Sequence, residues 1–243
     1  MSAWCVLAVL VWTGAALCGT FQVNPIRITL SQQSTSALLS VRNESAEKVR
    51  FQIGVFEWDQ SADGEMLLNP TEDLVFYPNL LVVDPGDERN IRVGNNKSVV
   101  TAREKSYRIF VEELPAVESS DQNGIRILTK MGVPIFIQPA KRLMQGNVEG
   151  MNLGRGEFTF EVKNDGNVHF FPRTIRVQGK DSNGDTLLER QLQPWYILSG
   201  GMRKYSIEIA QTDCPKLQNL TVEVELEGKM LKETFSVPQR ACQ

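Results

Sequence analysis

The feature that most limits the possible folds is a recurring pattern of short runs in which apolar and polar residues alternate. Residues 157–162 (Glu-Phe-Thr-Phe-Glu-Val) show it clearly, and turn pairs such as Asp63-Gly64 and Asn183-Gly184 separate other runs. Alternation has the period of a β-strand, whose successive side chains point to opposite faces. No stretch after residue 18 shows a sustained helical period with capping residues. Many short strands about 8–12 residues apart are typical of sandwiches and barrels, so we predict an all-β protein.

The pattern stops and restarts once, which divides the chain. The longest β-like run covers residues 125–137, and a new series begins after Lys141-Arg142. About 120 residues before Pro139 and about 100 after it are each enough for one β-sandwich. We therefore predict two β-sandwich domains, at residues 19–140 and 141–243.

The first 18 residues differ from the rest because they carry no charge, and the first charged side chain is Arg27. Residues 6–12 form an apolar run that suits a signal peptide, since a membrane span needs about 20 residues. The small residues 14–16 follow, as a signal peptidase requires, although the segment lacks the usual Lys or Arg. We predict a signal peptide over residues 1–18 and hence export. Lipid attachment at Cys18 and a buried N-terminal element are the alternatives.

The chain has four cysteines. Cys5 and Cys18 would leave with the signal peptide, so the exported chain would keep Cys214 and Cys242. Exported proteins meet oxidising conditions, and an even pair then favours a disulfide. Closing a loop of about 29 residues would stabilise the fold by about 3–4 kcal/mol on the chain-entropy model. Two buried thiols are the alternative.

Composition and motifs argue against several classes of function. The 26 basic and 29 acidic residues give a net charge of −3, without the basic excess of a nucleic-acid binder. His169 is the only histidine and stands in an apolar run typical of a strand, and the sequence lacks a phosphate-binding G-x-x-x-x-G-K-[ST] loop. Glu112 and Glu113 would face opposite sides of a strand. We predict no enzyme, no metal or cofactor and no small-molecule substrate.

The run at residues 125–137 offers two interpretations. One face of the predicted strand is apolar, and the other carries Arg126, Lys130 and Gly132. Such a strand could lie in an ordinary core, which the residues alone favour, or it could add to an incomplete sheet of a partner. The residues of the apolar face are Ile125, Ile127, Thr129, Met131 and Val133.

Three segments of the first domain resemble the periplasmic chaperones of the chaperone–usher pathway. These are residues 24–28 (Asn-Pro-Ile-Arg-Ile), residues 84–93 with their Pro-Gly turn, and residues 106–115 with Tyr-Arg-Ile and a final Glu-Leu-Pro. In the second domain, residues 193–201 with Trp-Tyr-Ile-Leu-Ser-Gly are similar to the archaic branch, which includes spore-coat and secreted-pilus systems. The resemblance extends from about residue 21 to residue 237.

The resemblance implies both a fold and a function. It implies two immunoglobulin-like sandwiches set at an angle around a hinge near Pro139. It also implies a periplasmic protein that needs no ATP, binds pilus or spore-coat-type subunits and delivers them to an outer-membrane usher. Pilus subunits lack their last strand, and the chaperone lends its own strand to fill the gap. In this chain the donated residues would be Ile125, Ile127, Thr129, Met131 and Val133.

The family also suggests how a subunit's C-terminal carboxylate is held. Arg27 occupies the position of the family's first-strand Arg, although a solvated strand residue is an alternative interpretation. The family's donor-strand Lys falls on Pro134 here, and Lys130, four residues earlier on the same face, is the candidate replacement. The family has an interdomain Arg just before the position of Pro139, and this chain has Gln138 there. Glu113 would therefore lack its usual partner.

A secreted adhesion or receptor-binding module of two sandwich domains is the alternative function. Three Asn-x-Ser/Thr triplets, at Asn43, Asn96 and Asn219, would be glycosylation sites if the source glycosylates secreted proteins. Chance produces about this many, so the triplets do not separate the two functions.

Overall fold

The computed structural model describes residues 21–96, 101–115, 127–238 and 241. Within these ranges the chain forms strands and a single turn of 3-10 helix at Cys214–Lys216, and the predicted all-β class is confirmed. None of the helical residues described could form a segment that crosses a bilayer.

Most of the first ten strands alternate buried and exposed side chains, as the sequence pattern requires, but the strand at Met66–Pro70 is exposed throughout and residues 133–137 are all buried. Their bounds are β1 Phe21–Asn24, β2 Ile28–Leu30, β3 Ser36–Asn43, β4 Val49–Gln60, β5 Met66–Pro70, β6 Leu74–Tyr77, β7 Leu80–Val83, β8 Glu88–Asn95, β9 Lys105–Leu114 and β10 Lys130–Ile137.

These strands build the first sandwich from two sheets. One sheet has the order β1-β3-β8-β6, and the other has the order β2-β10-β9-β4-β5, with β7 also paired to β4. Side chains from both sheets meet in one apolar core that includes Leu39, Phe51, Ile91 and Tyr107. The core thus encloses one face of β10, the strand predicted to serve a partner.

The remaining seven strands build the second sandwich, in sheets of order β11-β12-β15 and β14-β13-β16-β17. Phe158, Phe160 and Val222 lie in its separate core. The chain passes from one pair of sheets to the other between residues 137 and 146. The bounds are β11 Gly146–Gly154, β12 Glu157–Asn164, β13 Thr174–Lys180, β14 Thr186–Leu192, β15 Met202–Glu208, β16 Asn219–Leu226 and β17 Lys229–Ser236.

Each sandwich closes one corner with a fully buried asparagine, Asn43 at the end of β3 and Asn164 at the end of β12. Each amide Nδ2 donates to two backbone carbonyls, and each Oδ1 accepts a backbone N–H two residues further on. A buried amide is stable only when its hydrogen bonds are made, so the two corners are fixed. The same contacts occupy Asn43, which is therefore enclosed rather than open to glycosylation.

Candidate functional site

One long edge of β10 is open near its start. The strand pairs with β9 along its whole length, from Lys130 opposite Glu112 to Ile137 opposite Lys105. On its other side β2 runs parallel to it and pairs only with residues 135–137. Among the described residues, no strand pairs with residues 130–134 on that side. An unpaired strand edge is a template for a strand from another chain.

Backbone hydrogen bonds show which residues face this open edge. The N–H of Glu113 in β9 donates to the carbonyl of Thr129 at 2.9 Å, while the N–H of Gln138 donates to Leu30 of β2, also at 2.9 Å. Successive strand residues direct their backbone groups in alternate directions. Lys130 and Gly132 therefore direct N–H and C=O towards the open edge.

The side chains of the predicted apolar face range from buried to exposed. Val133 is 1% exposed and lies in the core of the first sandwich. Met131 is partly buried and packs against the same core, Thr129 is also partly buried, and Ile127 is 80% exposed. Val133 is therefore engaged within its own domain, whereas Ile127 is open to solvent and Thr129 and Met131 are partly so. Ile125 lies outside the described residues.

Glu113 lies beneath the start of this segment. Its carboxylate is buried, and the backbone N–H of Thr129 donates to it at 3.5 Å. Together with the bond from the Glu113 N–H to the Thr129 carbonyl, this contact holds the segment against β9 just before β10 begins. Glu113 therefore holds the backbone of Thr129 in place directly before the open edge begins.

Lys130 is engaged with its cross-strand neighbour. Its Nζ lies 2.8 Å from a carboxylate oxygen of Glu112 and 5.0 Å from the ring centroid of Phe110. Arg27 directly precedes β2, whose Ile28 stands opposite Ile135, so Arg27 lies level with Pro134. Lys130 is four residues before Pro134 in β10, which places it about 13 Å along the strand from the level of Arg27. The structure does not bring the two predicted anchor residues together.

Arg27 instead lines a cavity of about 430 Å³ between the two sandwiches. The cavity also receives Arg142 from the connecting segment, a residue that the sequence analysis did not select. Its polar lining consists of Arg27, Thr29, Gln138, Arg142, His169 and Glu227. Within the described part of the chain, no group of three potential metal ligands is present.

A buried acid and the only histidine hold the joint between the sandwiches. Nδ1 of His169 lies 2.5 Å from Oε1 of Glu104, and the His169 backbone N–H donates to the same oxygen at 2.9 Å. The imidazole stacks on Phe136 of β10, with ring centroids 3.6 Å apart. His169 was predicted as a strand residue, and this was wrong, because it lies in a loop at the joint.

The Trp-Tyr segment of the second domain completes the joint. Tyr196 packs against Trp58 and Phe136 of the first sandwich. The Gln60 side chain donates to the Tyr196 carbonyl at 2.9 Å and accepts the Leu198 N–H at 3.1 Å. The segment thus joins the domains.

A buried cation lies on the same aromatic surface. The guanidinium carbon of Arg108 is 4.2 Å from the ring centroid of Trp58 and 5.7 Å from that of Trp195. Burial lowers the pKa of Arg108 from its usual value. The two aromatic faces favour the positive charge and offset part of the lost hydration. Arg108 thus links β9 to the second domain without a carboxylate among these contacts.

Cys214 is buried in the core of the second sandwich, in the first position of the 3-10 turn. Cys242, its predicted partner, lies outside the described residues, as do residues 1–18 of the predicted signal peptide. The pairing and the signal peptide therefore stay predictions.

Comparisons with known proteins agree with this architecture. Residues 20–142 match the family model described as "Pili and flagellar-assembly chaperone, PapD N-terminal domain". A search of curated protein sequences finds no match.

Solved structures of chaperones share the fold of both domains. A chain of the CsuC–CsuE chaperone–tip adhesion subunit pre-assembly complex, from the archaic Csu pili of Acinetobacter baumannii, is 16% identical, with a TM-score of 0.61 over 89% of this chain and 98% of that chain. The class 5 fimbriae chaperone CfaA is 18% identical, with a TM-score of 0.57 over 90% and 99%. A chain of the SafA pilin–SafB chaperone complex of Salmonella enterica is 11% identical, with a TM-score of 0.55 over 91% and 99%.

Proposed function

Since this chain belongs to the family of pili and flagellar-assembly chaperones, we propose that it captures subunits of a pilus or spore-coat-type fibre by donating a strand. The single observation that carries the proposal is the open edge of β10, where Lys130 and Gly132 direct backbone groups away from β9. Hydrogen bonds along such an edge depend little on the partner's sequence, because they join backbone groups.

The side chains beside the open edge supply the apolar part of the interaction. Ile127 is 80% exposed and Met131 is partly exposed, so both can lose further surface to a partner. Burying an Ile or Met side chain completely is worth about 1.5–3 kcal/mol, and Met131 would gain less because the core already covers part of it. The row would fill the gap left by a subunit's missing strand and keep that subunit from aggregating.

We propose that the captured strand runs parallel to β10, as β2 does. Because β2 runs parallel to β10 and begins at Ile28, an added parallel strand would occupy the edge before it and end beside Arg27. The guanidinium of Arg27 would then meet the C-terminal carboxylate of the subunit, and a bidentate pair suits both groups. Arg27 is thus the proposed anchor, whereas Lys130 stands about 13 Å away along the strand.

The same proposal assigns the protein to the periplasm. The signal peptide at residues 1–18 would direct export, and oxidation there would join Cys214 to Cys242. The loaded chaperone would pass its subunit to an outer-membrane usher. The work consists of binding and release, in keeping with a family of chaperones rather than enzymes.

Co-expression with a subunit encoded beside this chain tests the proposal. The wild type is expected to give a soluble 1:1 complex. Ile127→Asp with Met131→Asp should abolish it, because two charges would enter an apolar groove. Met131→Asp could also disturb the core of the first sandwich, so Ile127→Asp is tested alone as well and should weaken the complex. A stable complex with both variants contradicts strand donation.

A matched control uses two exposed apolar residues that lie on the other sheet. Leu38 in β3 is 55% exposed and Val75 in β6 is 52% exposed. Leu38→Asp with Val75→Asp should leave the complex intact. If this variant also lost the subunit, general loss of surface apolarity would explain the result and the open edge would not.

A further inference from the structure

We propose that Arg142, in the segment connecting the two sandwiches, is the second cation that holds the subunit's carboxylate, in place of Lys130. This inference rests on the proposed function, because the ligand is the C-terminal carboxylate of a captured chain. It adds a residue from outside the donor strand to the binding site.

Arg27 and Arg142 reach the same cavity from different parts of the chain. Arg27 precedes β2 of the first sandwich, and Arg142 follows β10 in the connection to the second. Both are exposed, and within the described ranges neither has a hydrogen bond or ion pair. Two guanidinium groups present planar sets of N–H donors that match a carboxylate.

The backbone around Arg142 is held in place by a single side chain. Asn167 Nδ2 donates to the carbonyl of Lys141 at 2.8 Å, and the N–H of Leu143 donates to Asn167 Oδ1 at 2.6 Å. Asn167 also donates to the carbonyl of Ala102 in the first sandwich at 3.0 Å. Arg142 therefore projects from a fixed backbone, which reduces the entropy lost when it binds a ligand.

The charges around the cavity favour an anion. Two arginines face one lining carboxylate, Glu227, which is exposed at the end of β16. His169 also lines the cavity, and its Nδ1 is taken by Glu104, whose side chain is buried. The two permanent positive charges thus outnumber the single negative charge of the lining.

Position decides between Arg142 and Lys130. A parallel strand on the open edge would end at Arg27, because β2 begins there. Lys130 is about 13 Å along the strand from that point, and its charge is already paired with Glu112. Arg142 shares the cavity with Arg27 and can meet the same carboxylate. The carboxylate would then link the first sandwich to the connecting segment.

A short synthetic peptide of alternating Val and Thr, labelled at its N-terminus, tests the site. It is made with a free C-terminal carboxylate and as the C-terminal amide, and binding to the full chain is measured by fluorescence anisotropy. The acid should bind about tenfold or more tightly than the amide, as expected for hydrogen bonds between charged groups. The difference should shrink at high salt, because both arginines are exposed.

Variants separate the two candidate cations. Arg142→Ala should reduce the preference for the acid to the part that Arg27 alone supplies and leave binding of the amide unchanged, whereas Lys130→Ala should keep the full preference. Arg142→Lys should lose less of the preference than Arg142→Ala. A preference undiminished in Arg142→Ala, or reduced in Lys130→Ala, overturns the assignment of Arg142. A purely structural role of Arg142 would weaken both peptides alike, and that result also overturns it.

Failure of the proposed function gives a different result. If the wild type binds neither peptide and holds no co-expressed subunit, strand donation fails and the carboxylate site fails with it. If the wild type binds acid and amide equally and Ile127→Asp loses both, strand donation stands and only the carboxylate site is overturned.

Discussion

Nδ1 of His169 lies 2.5 Å from Oε1 of Glu104, and this contact joins the loop of one sandwich to the other. The imidazole also stacks on Phe136, which belongs to β10 itself. Glu104 is buried, so its carboxylate relies on the donors that His169 supplies. The pair therefore fixes the second sandwich against the end of the proposed donor strand. Loosening this joint would also release the end of β10, the strand that carries the open edge.

His169→Ala should loosen this joint. The change removes the ring donor from a buried carboxylate and the stack on Phe136, which should lower the free energy of unfolding by about 2 kcal/mol. Urea unfolding measures the loss, and small-angle scattering should show a larger radius of gyration. Lys229→Ala, at the exposed first residue of β17, serves as the control. An unchanged unfolding curve and radius would show that the contact contributes nothing to the joint.

Local signals in the sequence predicted the fold well because they act over a few residues. Asp63-Gly64 and Asn183-Gly184 do form turns between paired strands, with φ of +82° at Gly64 and +88° at Gly184. Both values lie in the region where glycine is favoured. The alternating runs identified most strands for the same reason, although β10 begins only at Lys130.

The site was harder to predict because it forms between distant parts of the chain. Glu104 meets His169 across 65 residues, and Arg27 shares a cavity with Arg142 only because the two sandwiches pack together. No periodicity or spacing signals such a meeting. The burial of Val133 in its own core was equally hard to predict. An apolar residue in an alternating run gives the same sequence pattern whether it packs in its own core or in that of a partner.

Tyr205→Phe should stabilise the second sandwich and change its response to alkali. Its hydroxyl is buried and has no hydrogen-bond partner within the described structure, and burial raises the pKa of Tyr205 to about 12 although Arg203 acts in the opposite direction. The raised pKa means that the stabilising neutral form is fully present below about pH 10 and is lost as the pH rises towards 12. Removing the hydroxyl should add about 1 kcal/mol at neutral pH.

Unfolding of both proteins between pH 8 and pH 11.5 checks this prediction. The difference between wild type and Tyr205→Phe should grow above pH 10, because only the wild type loses this contribution. Tyr77→Phe, an exposed tyrosine in β6, provides the control. Parallel curves across the whole range would contradict a buried hydroxyl at position 205.

The exported chain should contain no titratable thiol. Cys214 lies in the core of the second sandwich, and oxidation would tie this core to the C-terminal residues through Cys242. Thiol titration of the denatured, unreduced protein is expected to give none, and Cys214→Ser with Cys242→Ser should lower stability by about 3–4 kcal/mol. Two titratable thiols per chain would exclude the disulfide.

Proline substitutions at two neighbouring positions of β10 should have different effects, one on subunit capture and the other on the stability of the fold. The N–H of Lys130 faces the open edge, whereas that of Met131, the next residue, faces β9. Proline lacks an N–H and is tolerated only where a strand donates no hydrogen bond. Lys130→Pro should therefore leave a folded protein with weakened subunit capture, and Met131→Pro should destabilise the first sandwich itself.

Thermal unfolding and co-purification of the subunit separate these effects. Lys130→Ala controls for the charge, since it removes the pair with Glu112 but keeps the N–H. It should capture the subunit like the wild type, because an exposed ion pair contributes little. Full capture by Lys130→Pro would mean that the backbone of the open edge takes no part, and the partner would then have to bind through side chains alone.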